Sequence, residues 1–130
     1  MVLAIDDFFP FLTLLYYLYM GENESYRGGK WEESEQENEQ KPLFSLGQIV
    51  GTPGALDAME NAEQNPFELL ARHVQGDWGD LDDEDKKENE LSVNEGFRIL
   101  SAYKLESGVK VWVVTEWDRS VTTILLPEEY

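Results

Sequence analysis

Residues 110–126, KVWVVTEWDRSVTTILL, decide how this chain is read. Two runs of β-branched and aromatic residues flank Trp117-Asp118-Arg119-Ser120, a polar break of the kind that reverses a strand. Between Lys110 and Glu116, side chains alternate across the pleat. Val111, Val113 and Thr115 share one face, and Trp112 and Val114 share the other. Both faces are apolar, so this strand is expected inside a sheet with cover on both sides. Val121 to Leu126 forms the following strand. Phe97 to Leu105 forms the preceding one, joined through Glu106-Ser107-Gly108. Such short connections predict a three-stranded antiparallel meander.

Upstream of the meander the periodicity changes to helical. Thr52-Pro53 reads as an N-cap with proline at the first helical position, opening a helix to about Ala62 with Leu56 and Met59 inward. Asn65-Pro66 repeats the device, and Phe67, Leu70, Ala71 and Val74 form the apolar face of a second helix that stops at Gly76. Asp82 or Asp83 caps a third helix, polar along most of its length, anchored by Leu81, Leu91 and Val93 and closed at Gly96. The fold class expected is α+β: two or three short helices followed by the meander, with the helices packed on one face. The segment LFSLGQIVG, residues 43–51, is a candidate edge strand.

The chain divides into three stretches. Residues 1–20 are apolar, but carry Asp6 and Asp7 where an export signal has positive charge. Their apolar run is interrupted by Pro10 and is too short for a membrane-spanning helix. They are either a helix docked on the domain or a partner, or an extension upstream of the true start. Residues 21–42 are rich in Glu, Asn, Gln and Gly and read as an acidic flexible linker. Residues 43–130 form a single domain.

Charge narrows the function classes. The 130 residues carry 27 acids against 10 Lys and Arg, for a formal net charge of −17. The excess is −6 before Leu43 and −11 from there on. A surface this negative repels phosphate backbones and disfavours direct nucleic-acid binding. It suits a partner with a basic surface, or a mimic of nucleic acid. The absence of cysteine removes disulfides, thiolate metal ligands and thiol nucleophiles, and agrees with a cytoplasmic setting. A single histidine excludes multi-histidine metal sites. No P-loop, dinucleotide-binding glycine pattern, nucleophile elbow or zinc motif is present, so neither metal nor cofactor is expected.

Two groups of residues carry candidate chemistry. His73, late in the second helix, is either a partly buried helix-end residue or a general acid or base. Asp77 and Trp78 either shape the turn that follows, or Asp77 orients His73. Asp80, Asp82, Asp83, Glu84 and Asp85 lack the ligand spacing and mid-loop glycine of a calcium loop and read as a solvated helix start. In the hairpin, Arg119 either pairs with Asp118 or Glu116 across the turn, or builds an anion site with Thr122 and Thr123, Glu116 serving as base. The second option, with His73 added, would be a small metal-free ribonuclease-like enzyme. The net charge argues against it, and a non-enzymatic protein-binding module is the leading expectation.

The segments LGQIVGTPGAL, LLARHVQGDWGDLDDEDKKENE, RILSAY and KVWVVTEWDRSVTTILLPEEY together resemble a family of small, uncharacterised bacterial proteins found often on plasmids and other mobile elements. The resemblance spans about residues 43–130 and lends no catalytic residues. It implies a bacterial cytoplasmic setting and an accessory role on mobile DNA; together with the acidic charge, it makes a DNA-mimic, anti-defence role the concrete form of the binding expectation.

Overall fold

The computed structural model describes residues 41–130, together with the backbone of three short strands further upstream. In chain order the elements are β1 (Leu3–Ala4), β2 (Glu24–Arg27), β3 (Lys30–Glu33), β4 (Gln48–Gly51), α1 (Pro53–Asn61), α2 (Pro66–Val74), α3 (Asp83–Glu95), β5 (Ile99–Lys104), β6 (Lys110–Thr115) and β7 (Val121–Leu125). A 3-10 turn, Pro127–Glu129, closes the chain. Strands β2 and β3 pair with each other antiparallel. The expectations for the rest of residues 1–40, a docked apolar segment and a linker, lie outside the described residues.

The class is α+β, but the sheet is mixed and is not a three-stranded meander alone. Its order is β1-β4-β7-β6-β5. The meander β5-β6-β7 is antiparallel, whereas β4 lies beside β7 in parallel. A parallel partner needs a long crossover, and the three helices and two strands between Gly51 and Val121 supply one. LFSLGQIVG was therefore the segment that changed the topology. The backbone amides of Gln48 and Thr52 extend the pairing, donating to the carbonyls of Ser120 and Ile124 at 2.9 Å each.

One sheet face is buried under α1 and α2. Ile49, Tyr103, Val111, Val113 and Ile124 meet Leu56 and Met59 of α1 and Leu69, Leu70 and Val74 of α2 in one core. Thr52 caps α1 by accepting from the Ala55 amide at 3.2 Å, and Asn65 caps α2 by accepting from the Phe67 amide at 2.9 Å. The buried positions of α2 are Pro66, Leu69, Leu70, His73 and Val74. This stripe is rotated from the expected Phe67, Leu70, Ala71 and Val74, because the helix turns its histidine inward as a core residue.

The third helix departs further from expectation. It contributes nothing to the core cluster, and Leu91, expected as an anchor, is 53% exposed. Its buried residues are Asn89 and Ser92. The Asn89 side-chain amide donates to the Leu100 carbonyl at 2.7 Å, while its oxygen accepts from the Leu100 amide at 3.2 Å. Thus α3 lies along the outer edge of β5, not on the face shared by α1 and α2. Two residues further on, the Ala102 amide donates to the Trp78 carbonyl at 3.1 Å, and its carbonyl accepts from the Asp80 amide at 2.7 Å. Gly79 makes that approach possible: at φ +74° it lies so close that a Cβ would sit 1.9 Å from the Ala102 oxygen. A bare edge strand invites pairing with another chain. Here a side-chain amide and a loop satisfy the edge. Asn89→Ala is expected to lower stability by about 1–2 kcal/mol through loss of both bonds, checked by urea denaturation. An unchanged midpoint would show that the edge is satisfied in another way.

Candidate functional site

His73 is fully buried, and both ring nitrogens are hydrogen-bonded. Nδ1 lies 2.5 Å from the Ser101 hydroxyl and Nε2 lies 2.9 Å from the Thr115 hydroxyl. Thr115 Oγ1 lies 2.7 Å from Thr122 Oγ1, which in turn donates to the Leu46 carbonyl at 2.7 Å. The direction of every bond follows from the last one. A carbonyl can only accept, so Thr122 spends its proton on Leu46 and must accept from Thr115. Thr115 must then accept from Nε2–H, and Nδ1 accepts from Ser101. The ring is the neutral Nε2–H tautomer, and four donors point the same way along the chain. Ser101, Thr115 and Thr122 are themselves buried, and no buried side-chain nitrogen or oxygen among the described residues lacks a partner. Burial, with a smaller repulsion from Arg119, pushes the His73 pKa down to about 3. A histidine in this state is a core polar connector with no proton to offer at neutral pH.

Arg119 is held elsewhere. The turn is closed by its own amide donating to the Glu116 carbonyl at 2.9 Å, and the residue adopts φ +60°. A left-handed residue often completes such a hairpin loop, but it is seldom an arginine. The guanidinium explains the choice. It donates to the carbonyls of Phe97 at 2.6 Å, Glu116 at 3.1 Å and Ser92 at 2.8 Å. Ser92 belongs to the last turn of α3, a helix with no basic residue of its own there. Arg119 therefore caps α3 from the opposite hairpin, placing positive charge at the negative end of the helix dipole. It pairs with neither Asp118 nor Glu116 as a salt bridge, contrary to the simpler expectation. Asp118 instead accepts from the Ser120 amide at 3.0 Å and hydroxyl at 2.6 Å. The Ser120 hydroxyl holds the Asp118 carboxyl below its usual range.

The remaining candidates divide between the two regions. Asp77 does not reach His73. It pairs with Arg72 at 2.7 Å, which lowers its pKa, and accepts from the Gly79 amide at 3.2 Å. Trp78 is buried, stacked on Phe44 with centroids 6.3 Å apart and edge-on to His73 at 6.0 Å. Thr122 is buried in the hydroxyl chain, while Thr123 faces the other side of the sheet, so the pair cannot share an anion. Phe44 links the two regions: His73 lies edge-on to its ring at 5.1 Å, and the Arg119 guanidinium lies over it at 5.5 Å. His73 and Arg119 are thus neighbours across an aromatic ring, with the histidine itself sealed from solvent.

Ser101 and Leu46, the ends of the hydroxyl chain, were absent from the candidate set. A usable signal existed for Ser101. It lies between Ile99 and Tyr103 on the inward face of β5, where a hydroxyl needs a buried partner. Among the described residues there is no group of three His, Cys, Asp or Glu arranged to hold a metal, and no helix long and apolar enough to cross a membrane. No family model, no curated protein and no solved structure matches the chain.

Proposed function

We propose that this protein is a non-enzymatic binding module that engages a basic protein partner through the acidic face of α3, with mimicry of DNA as the concrete form of that role. One observation carries the reading. Asp80, Asp82, Asp83, Glu84, Asp85, Glu88, Glu90 and Glu95 are all exposed, and none takes part in an ion pair among the described residues. The helix is attached by backbone-directed bonds from Asn89 and Arg119, which leave its acids free. A helix that adds nothing to the core and keeps its charge unneutralised is suited to present that charge.

The charge along α3 is sparser than on a duplex, so the mimicry is one of sign and exposure and not of phosphate spacing. Six acids against two lysines along α3 give one net charge per roughly 5 Å at about 1.5 Å rise per residue. Double-stranded DNA carries one per about 1.7 Å and a single strand one per about 3.4 Å. The resemblance carried by GDWGDL and TEWDRSVTTILLPEEY supports a bacterial, cytoplasmic and mobile-element setting for this role. A ribonuclease built on His73, Glu116 and Arg119 gains no support, since the histidine is sealed and the guanidinium is committed to carbonyls.

Competition tests the proposal. A fluorescent DNA duplex bound to a lysine- and arginine-rich peptide is titrated with the protein at low and high salt. The duplex is expected to be released, less readily as salt rises. Reversing Asp83, Glu84 and Glu90 to lysine is expected to weaken release by about tenfold or more. Release indifferent to charge reversal within residues 82–90 would reject the acidic face as the binding surface.

A further inference from the structure

A groove of about 340 Å³ opens between α3 and the sheet face turned away from α1 and α2. Its floor is Leu100 of β5 and Trp112 of β6, with Leu81 at one end. Leu100 faces Val114 across the ladder and Ala102 faces Trp112, so Leu100 and Trp112 share this second face. Asp85 and Glu88 lie one turn apart on the side of α3 that lines the groove, and Arg98 lies at its rim. Arg98 forms no ion pair with them. It sits over the ring of Tyr130 at 5.1 Å, and that ring is edge-on to Trp112 at 5.6 Å. The groove thus joins an aromatic and aliphatic floor to two carboxylates that form no ion pair among the described residues.

We propose that this groove receives an arginine or lysine side chain of the basic protein partner. The aliphatic stem would lie on Trp112 and Leu100 and the charged head between Asp85 and Glu88. The inference rests on the binding role proposed above and names where its specificity resides. Three features fit this occupant. The volume is at the lower end for small-molecule sites and suits a side chain better than a larger ligand. A long basic side chain matches both halves of the lining, because its stem is apolar and its head is cationic. The indole of Trp112 also offers a broad, flat apolar face for that stem.

The test uses the whole chain and a hexa-arginine amide peptide, followed through the tryptophan indole N–H signals by NMR. The Trp112 signal is identified by its loss in Trp112→Phe. It is expected to move saturably on titration. Asp85→Asn with Glu88→Gln is expected to weaken binding about tenfold. Asp83→Asn with Glu84→Gln, the same charge change on residues outside the groove, is expected to weaken it no more than about twofold. Thermal melts confirm that both double variants are folded. Equal weakening by the two variants with a stationary Trp112 signal would overturn the groove while leaving the acidic-face role standing. Absence of saturable binding by the unaltered protein would overturn both.

Discussion

His73→Leu is expected to lower stability by about 3–5 kcal/mol at pH 7, the range for breaking a fully buried polar network. Leucine removes the acceptor for the Ser101 hydroxyl and the donor to Thr115, leaving buried groups unpaired. If unpaired hydroxyls are the cause, the triple variant His73→Leu, Ser101→Ala, Thr115→Val should regain most of the loss. Replacing both partners of a buried bond by apolar groups is far less damaging than orphaning one. Urea denaturation of the single and triple variants decides this. A triple variant no more stable than the single one would place the cost in packing instead.

The same residue sets an acid response with a defined sign. Its folded pKa, about 3, lies below the unfolded value of 6.5, so folding favours the neutral ring. That contribution is complete above pH 6.5 and is lost as pH falls toward 3. It amounts to on the order of 5 kcal/mol across the window at about 1.4 kcal/mol per pH unit. Asp77 and Asp118, also held below their usual values, add acid sensitivity of the same direction in both proteins. The difference between wild type and the triple variant therefore isolates the histidine. Because the triple variant starts close to wild type, the two stability curves should converge and then cross as pH falls from 6.5, and parallel curves would mean that His73 titrates in the folded protein as it does in the unfolded chain.

The local elements were legible because their signals are local. Thr52, Asn65 and Asp82 cap the helices at which their sequence positions pointed, and the three strands of the meander alternate as the period of two requires. The parallel strand was not legible. QIVG is four residues long, and nothing in such a run distinguishes an antiparallel edge from a parallel partner of β7. The attachment of α3 was misread for a related reason. Leu81, Leu91 and Val93 were the only apolar residues available, whereas the helix is held by an amide that reads as surface polarity until its partner, the Leu100 backbone, is known. His73 and Arg119 suffered the same fate. Each looked like chemistry because its residue type performs chemistry. Each proves to satisfy polar groups, side-chain hydroxyls for one and backbone carbonyls for the other, on segments distant in sequence.

Arg119→Ala is expected to lower stability by about 2–4 kcal/mol, and the pattern across substitutions is more telling than the size. Two separate quantities meet at this position. The guanidinium ties the turn after β6, α3 and the segment entering β5 together through the carbonyls of Glu116, Ser92 and Phe97. Against this, φ +60° strains any residue with a Cβ by about 1–2 kcal/mol. Alanine loses the bonds and keeps the strain. Glycine loses the bonds but relieves the strain, so Arg119→Gly should fall between wild type and Arg119→Ala. Lysine keeps the charge near the C-terminus of α3 but lacks the planar fork needed to reach three carbonyls at once, so Arg119→Lys should recover only part of the loss. Chemical denaturation orders the four proteins, and amide hydrogen exchange locates the damage. Protection should fall first at the C-terminal turn of α3, where Gly96 and Phe97 both donate to the Ser92 carbonyl that Arg119 also holds. If glycine proves the least stable of the three variants, the turn is not strained and the left-handed conformation has a different origin. If exchange quickens evenly across the sheet and leaves α3 unchanged, Arg119 serves the hairpin and not the helix.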